Sequence, residues 1–285
     1  MTWQVLISIS ILLNAVSVLL QRVLLKNDET EPISFSIFFQ IGVAVVIGLL
    51  VMIIQGGIPL PDMTNVAWSV LAMTILYALA NVFIFKSLKT TEASRFTVIF
   101  ASKTLFAIIA STLFFREGLD TGQWLGALLI IVGVITVSYQ NTKSKLNKGD
   151  LFALTSAVLF GLANTNDRFL VKFFDPYSYV VMGFLLPGVL IALMNPKKIS
   201  SLKVYFKKTF IYKMVLLCLL YGLSAVTFFT ALQISPNASQ VFSISPFGAV
   251  VTVALSIIIL KERDALSRKL LGAILSLSGL LLVNK

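Results

Sequence analysis

The sequence predicts an all-α integral membrane protein, with ten transmembrane helices arranged as two inverted five-helix repeats. The first observation is composition: 58% of the 285 residues are hydrophobic, 12% are charged and the mean hydropathy is +0.94. The second is a series of apolar runs, each about 20 residues long, the length that spans a bilayer. The third is that the first half of the chain recurs in the second. An ordinary soluble domain is about 45–50% apolar and about 25% charged. This composition therefore excludes an ordinary soluble domain.

Ten apolar runs follow one another, separated by short connectors. Backbone groups in lipid must satisfy their own hydrogen bonds, so each run is predicted to be a helix. The first run lacks a basic N-terminal region, which distinguishes it from a cleavable signal peptide. The predicted spans are 3–25, 33–55, 66–88, 94–115, 121–140, 149–172, 176–194, 211–233, 237–260 and 265–284.

The internal repeat divides the chain at residues 1–142 and 143–285. Corresponding residues lie 144–146 positions apart: Glu31-Pro32 with Asp175-Pro176, Glu117 with Glu262, Gly126 with Gly272, Gly133 with Gly279, Arg22 with Arg168 and Lys26 with Lys172. Because each half holds an odd number of spans, the second half enters the membrane from the opposite side. Inverted repeats are typical of secondary transporters, whose substrate sites lie near the midplane between the halves. Small residues allow close helix approach, so the glycines are predicted to pack the fifth helix on the tenth.

A Glu ends the fourth helix of each half (Glu117, Glu262), and a helix with two spaced glycines follows it. In these residues the chain resembles the EamA-type branch of the drug/metabolite transporter superfamily. The resemblance covers essentially the whole sequence. It implies alternating access, transport of a small organic solute and, by preference, export.

The distribution of Lys and Arg predicts the orientation in the cell membrane. Eighteen basic residues fall in connectors on one side, and four fall on the other: Arg116, Arg168, Lys172 and Lys285. The positive-inside rule places the first side in the cytoplasm and both termini outside. Many ten-helix relatives are thought to have both termini inside, so the resemblance implies the opposite orientation.

Composition also limits the chemistry. The chain has no His and a single cysteine, Cys218, which excludes His-based metal sites, His-dependent catalytic triads, a disulfide framework and a Cys-rich metal site. The net charge of +11 comes from short clusters that flank apolar runs, a pattern that indicates a membrane rather than nucleic acid. No nucleotide-binding motif is present. We therefore expect no enzyme and no cofactor; the predicted partners are a small-molecule substrate, lipid, and H⁺ or an exchanged solute. A passive channel is a weaker alternative, and both monomer and homodimer remain open.

Lys103 is the strongest single indication of a substrate site. A charge inside a span costs roughly 2.5–3.5 kcal/mol on insertion scales, so it normally faces a cavity or a partner. A cation in a cavity would attract a substrate carboxylate or phosphate. Its repeat counterpart is Gly248, so the two halves differ where an asymmetric molecule would bind. The structural alternative is a snorkelling or ion-paired lysine.

Other polar side chains lie at helical spacing within the spans. One face of the first predicted helix carries Ser10, Asn14, Ser17 and Gln21. One face of the third carries Thr74, Tyr77 and Asn81. The alternative is hydrogen bonding between helices. The predicted substrate-binding residues are Lys103, Asn14, Gln21, Gln40, Tyr77, Asn81, Asn164 and Tyr221.

Asp167 is the only carboxylate that is plausibly inside a span, and it is the candidate for proton or ion coupling. Its place near a helix end favours an interfacial cluster with Arg168 and Lys172 instead. A multidrug-cation exporter would need an embedded acid, whereas Lys103 favours an amino acid or another anionic or zwitterionic metabolite. Pro187 and Pro246 are predicted hinges, because proline removes a backbone hydrogen bond.

The segment 197–213 is basic with interleaved apolar residues. It is predicted either to lie on the membrane surface as an amphipathic turn or to form a solvated loop.

Overall fold

The computed structural model describes residues 2–115, 121–138, 147–235, 241, 244, 247–261 and 266–283. These residues form α-helices, short 3₁₀ helices and connectors, without a strand among them. The α-helices are α1 Trp3–Leu25, α2 Pro32–Gln55, α3 Ala67–Thr90, α4 Ala93–Phe100, α5 Lys103–Phe115, α6 Thr121–Ser138, α7 Lys148–Leu170, α8 Pro176–Met194, α9 Lys208–Ile234, α10 Phe247–Ile259 and α11 Leu266–Val283. The 3₁₀ helices are Met63–Asn65, Pro196–Lys198 and Ser200–Phe206.

Within the described ranges, five helices are long and apolar enough to cross a membrane: α1, α2, α3, α8 and α9. Shorter apolar helices lie at Trp124–Thr136 and Phe247–Ile259. The structure therefore has the all-helical, multi-span character that the composition predicts.

The repeated Glu-Pro and Asp-Pro motifs give α2 and α8 equivalent starts. Glu31 accepts a hydrogen bond from the Ser34 backbone N–H at 2.9 Å. Asp175 accepts from the Ser178 backbone N–H at 3.2 Å. In each helix a proline occupies the first turn, where its missing N–H costs no helical bond. The same sequence signal thus produces the same N-cap in both halves.

The prediction of one continuous helix over 94–115 is wrong, because the helix breaks between α4 and α5. At the break the Ser102 N–H bonds to the Ile99 carbonyl at 3.1 Å, three residues back rather than four. The Ser102 hydroxyl donates to the same carbonyl at 2.7 Å. Lys103, predicted to lie well inside a helix, is instead the first residue of α5.

Close contact with α7 accompanies this break. A Cβ at Gly161 would lie 2.5 Å from the Lys103 carbonyl oxygen and 2.8 Å from Phe106 Cβ. Only glycine leaves room for α7 to approach the irregular backbone this closely. Gly161 thereby fixes the position of Lys103 relative to α7.

Helix contacts recur when the two halves are exchanged. If α1, α2 and α3 correspond to α7, α8 and α9, then α4–α5 corresponds to α10, and α6 to α11. Under this exchange the α1–α9 contact becomes α7–α3, and both contacts occur. In the same way, α2–α9 becomes α8–α3, and both contacts occur. The contact α1–α10 becomes α7–α5, and both of these occur as well. The contacts therefore have the approximate two-fold pattern of a duplicated bundle.

The glycine pairs hold α6 against α11, as the repeat analysis predicts. A Cβ at Gly133 would lie 2.8 Å from the Gly272 carbonyl oxygen. A Cβ at Gly279 would lie 2.5 Å from the Gly126 carbonyl oxygen. The prediction that these residues serve helix packing is confirmed.

Ion pairs of α4 and its N-cap with the second half lie at one end of the bundle, which we call the basic end; it holds Arg22, Arg95, Asp150 and Lys269. Arg95 on α4 pairs with Asp150 on α7, and their side chains are 13% and 1% exposed. Lys269 on α11 pairs with Glu92, the N-cap of α4, at 2.6 Å. At the same end Arg22 donates to the Leu88 carbonyl at 2.6 Å and so caps α3.

The connector between α8 and α9 is anchored to this end by Tyr205. Its hydroxyl lies 3.1 Å from the Ser34 hydroxyl, and its ring contacts those of Phe35 and Phe38. Burial raises the pKa of Tyr205 to about 12, so the hydroxyl stays protonated. Residues 196–206 are mostly 3₁₀-helical and α9 begins at Lys208, so the segment has regular turns. Whether these turns lie on the membrane surface or in solvent stays a prediction.

Candidate functional site

A cavity of about 300 Å³ lies in the middle of the bundle. Its walls come from α1, α2, α3, α4, α5, α7, α8, α9 and α10. Both halves therefore contribute, and the break between α4 and α5 lies at its edge, since Ala101, Lys103 and Thr104 all line it.

Lys103 brings its ammonium group to the cavity between two aromatic rings. The Lys103 Nζ lies 4.8 Å from the centre of the Phe100 ring and 4.5 Å from that of Phe160. Cation–π attraction at such distances partly offsets desolvation of the charge. Among the described residues, no carboxylate oxygen lies within 4.0 Å of this nitrogen. The structural alternative of an ion-paired lysine therefore does not apply to the described part of the chain.

Asp167 also faces the cavity, which corrects its favoured interpretation as part of an interfacial cluster. Its carboxylate accepts hydrogen bonds from the hydroxyls of Tyr77 and Tyr179, the latter at 2.5 Å. Lys172 is exposed two residues beyond the end of α7, and the Arg168 side chain lies outside the described residues. Asp167 points into the bundle, where Tyr77 on α3 and Tyr179 on α8 supply hydroxyl donors to its carboxylate.

A chain of aromatic contacts connects the two charged residues. The ring of Phe160, which contacts Lys103, packs edge-on against Tyr77 at 5.0 Å between centroids. Tyr77 in turn donates its hydroxyl to Asp167. The cavity thus presents a cation, aromatic faces and a carboxylate in sequence along one wall.

The remaining residues predicted to bind substrate also line this cavity: Asn14, Gln21, Gln40, Asn81, Asn164 and Tyr221. The structure thus brings side chains from α1, α2, α3, α7 and α9 together with Lys103. Their contact with a substrate stays a prediction.

Gln40 has an unusual environment. It is fully buried, at 0% exposure, yet neither its amide nitrogen nor its amide oxygen has a hydrogen-bond partner within the described residues. Buried polar groups are normally paired, because an unsatisfied donor or acceptor costs about 1–3 kcal/mol. At 0% exposure the amide is not open to the cavity in this conformation, and its contact with a solute stays a prediction.

Several other polar residues of the spans serve helix packing. Ser10 and Ser224 exchange hydrogen bonds with each other's carbonyls, at 2.8 and 2.9 Å, and so join α1 to α9. Asn166 donates to the Ser69 carbonyl at 2.8 Å. Ser17 and Thr74 bond to carbonyls of their own helices. The alternative of hydrogen bonding between helices therefore holds for Ser10, Ser224 and Asn166, but not for Ser17 and Thr74.

Of the two predicted hinges, Pro187 lies inside α8 and is buried. Its role in motion stays a prediction. Pro246 lies outside the described residues.

Sequence reasoning missed Tyr179, Phe100 and Phe160 as cavity residues. The repeat carries a signal for the first of them, because Tyr179 stands where the first half has Phe35. The Tyr179 hydroxyl has no counterpart in the first half, so the two halves differ in chemistry at this position. The two phenylalanines could not be chosen among the 22 of the chain by sequence alone.

Comparison with known proteins bears on the fold and on the family of the chain. A solved crystal structure superimposes with a TM-score of 0.63 at 15% identity, over 96% of this chain and 96% of the other. At that identity the likeness supports the fold alone. No curated protein matches the chain. The profile of the EamA-like transporter family matches residues 1–139 and again residues 147–285, so almost the whole sequence is accounted for. The chain is therefore a multi-pass membrane protein that belongs to the EamA-like transporter family.

Proposed function

We propose that this transporter moves a small organic solute that carries an anionic group, such as an amino acid or another anionic or zwitterionic metabolite. It would work as a secondary transporter by alternating access in the cell membrane, with export as the favoured direction. The observation that carries the proposal is the Lys103 ammonium group in the central cavity, with no carboxylate within 4.0 Å among the described residues. In a site of low dielectric such a cation favours a bound anion.

Asp167 extends the proposal to zwitterions. Asp167 lines the same cavity as Lys103 and is connected to it through contacts of Phe160 and Tyr77. A solute with an acidic and an amino group could meet both charges, while a plain anion would meet only one. Asp167 remains the candidate for proton or ion coupling as well.

The architecture that we propose is ten spans in two inverted repeats, 1–142 and 143–285. The exchange pattern of the helix contacts and the twofold match to the family profile support it. The basic end would face the cytoplasm, with both termini outside, as the distribution of Lys and Arg favours. The test is a reporter protein that is active only in the cytoplasm, fused to either terminus. We expect no activity, and an active reporter would show the opposite orientation.

Thermal stability of the purified protein in detergent tests the substrate class. The panel contains carboxylates, amino acids, phosphorylated metabolites and lipophilic cations. A ligand that binds only the folded state raises the unfolding temperature by mass action. We expect stabilisation by acids or zwitterions, and its loss in Lys103→Met.

Lys26→Met is the matched control, because Lys26 is exposed at the basic end and does not line the cavity. It should keep the response to acids. Uptake into proteoliposomes should follow the same order and should saturate, which a passive channel would not. Acid-dependent stabilisation that survives in Lys103→Met would overturn the proposal.

Cation efflux is the second candidate, and the inward carboxylate of Asp167 favours it. In that case lipophilic cations alone would stabilise the protein. Asp167→Asn would then abolish the response, and Lys103→Met would retain it.

A further inference from the structure

A lysine-rich surface lies between α8 and α9, apart from the central cavity. Six lysines occur between positions 197 and 213, and this stretch contains no Asp or Glu: Lys197, Lys198, Lys203, Lys207, Lys208 and Lys213. Only two of them have a carboxylate partner among the described residues: Lys198 with Glu31 at 3.7 Å, and Lys207 with Glu29 at 2.8 Å. The surface therefore retains a large excess of positive charge.

Exposed apolar side chains lie among these lysines. Phe206 is 66% exposed and Tyr212 is 74% exposed. Ile199 is also exposed within this stretch, and Met194 is exposed just before it, at the end of α8. Ammonium groups beside exposed rings and aliphatic chains match the boundary between lipid headgroups and acyl chains.

The surface is held in place rather than free. Tyr205 is buried against Ser34 and the rings at the start of α2, and the Phe206 ring packs on Phe38 at 5.3 Å between centroids. Both α8 and α9 are long and apolar enough to cross a membrane. A short connector between them must therefore lie at the level where the two helices leave the bilayer.

A groove adjoins the surface where α9 begins. Lys207, Thr209 and Lys213 line one side of it, and Asn27 and Glu29 line the other. Among the described residues Lys213 has no carboxylate within 4.0 Å, so its charge is available to a phosphate oxygen.

We propose that the 197–213 surface binds the phosphate headgroups of anionic phospholipids in the surrounding leaflet. Basic clusters at the cytoplasmic ends of membrane helices attract such lipids at close range. The lysines would contact the phosphates, and Phe206 and Tyr212 would enter the upper acyl region.

The test uses the full-length protein in a nonionic detergent, titrated with phosphatidylglycerol, phosphatidylcholine or soluble glycerol phosphate. We expect only phosphatidylglycerol to raise the unfolding temperature. Lys203→Gln with Lys208→Gln should weaken its apparent affinity on the order of tenfold, since each lysine near a charged surface contributes severalfold.

Lys26→Gln with Lys148→Gln is the control, because it removes equal charge from exposed residues of the same end. It should leave the affinity within about twofold, since only local lysines act strongly under screening. An equal loss in both variants would mean a general charge effect and would overturn the proposal. Equal stabilisation by phosphatidylcholine would also overturn it, and so would stabilisation by glycerol phosphate at similar concentration.

Two measurements on the unmodified protein complete the test if the double variant fails to fold. High salt should remove the effect of phosphatidylglycerol, and anionic lipid should be enriched in the purified protein relative to the membrane. Salt-independent binding without enrichment would contradict the proposal.

Discussion

Arg95 and Asp150 form a buried bidentate ion pair that joins α4 of the first half to α7 of the second. The Arg95 Nε donates to Asp150 Oδ1 at 2.8 Å, and a terminal nitrogen of the guanidinium donates to Oδ2. Asp150 also completes a capping box with Asn147 at the start of α7. A single carboxylate thus holds both a helix start and a contact between halves.

Loss of the arginine should destabilise the fold strongly. Arg95→Gln would leave the Asp150 carboxylate buried without its cation, which typically costs about 3–5 kcal/mol. The measurement is thermal or denaturant unfolding in detergent. Lys207→Gln is the control, since it breaks an exposed pair worth about 0–1 kcal/mol. Equal effects of the two variants would contradict a buried, structural pair.

Gln40→Leu should separate binding from stability. It removes two buried polar atoms that lack partners among the described residues, so stability should be unchanged or rise by as much as about 1–3 kcal/mol. If the amide binds the solute, transport should fall at least about tenfold, the loss of one hydrogen-bonding group worth about 1.4 kcal/mol. Unfolding temperature and proteoliposome uptake are compared in the same preparation. A large drop in stability would show that Gln40 is structural.

Tyr179→Phe should destabilise the protein by about 1.5–3 kcal/mol, because it deletes a hydroxyl that donates to the Asp167 carboxylate. Tyr221→Phe is the matched control: Tyr221 also lines the cavity, and its hydroxyl has no hydrogen bond among the described residues. Its effect on unfolding should stay below about 0.5 kcal/mol. Similar values for both variants would mean that the Tyr179 hydroxyl contributes little to holding Asp167.

Gly133→Val should weaken the α6–α11 contact. The new side chain would meet the Gly272 carbonyl and the Ser276 hydroxyl, and overpacking of this kind costs about 1–3 kcal/mol. Val132→Leu changes the exposed neighbouring position and should have little effect on the unfolding temperature. An unchanged unfolding temperature in Gly133→Val would place the glycine outside a tight interface.

Hydropathy and the repeat were sufficient to predict the helical membrane fold, the close packing of α6 on α11 and the start of α8 at Pro176. Those features depend on local signals: apolar length, spaced glycines and an acidic N-cap before proline. The break at Ala101–Ser102 has no such signal, because residues 93–115 contain neither glycine nor proline. It coincides with the close approach of Gly161, which lies about sixty positions along the chain.

The side chains around the cavity also fall into two groups, those that a local sequence signal predicts and those that depend on other helices. Helical spacing on α1 and α3 indicated Asn14, Gln21, Tyr77 and Asn81, because a polar stripe in a span must point inward. The orientation of Asp167 could not be predicted, since its donors come from α3 and α8 rather than from its own helix. The contact of Lys103 with Phe160 likewise depends on how α7 crosses α5, and its contact with Phe100 forms across the break between α4 and α5.

Cys218, the single cysteine, is 1% exposed on α9, with its thiol 3.9 Å from the Phe39 carbonyl. Thiol reagents dissolved in water have no access to a group buried in this way. The natural chain is therefore already suited to site-directed labelling, without prior removal of native thiols. A cysteine introduced at Leu232 or Thr97, both on the cavity wall, would provide the one reactive thiol, and its rate of alkylation would report which end of the cavity admits water.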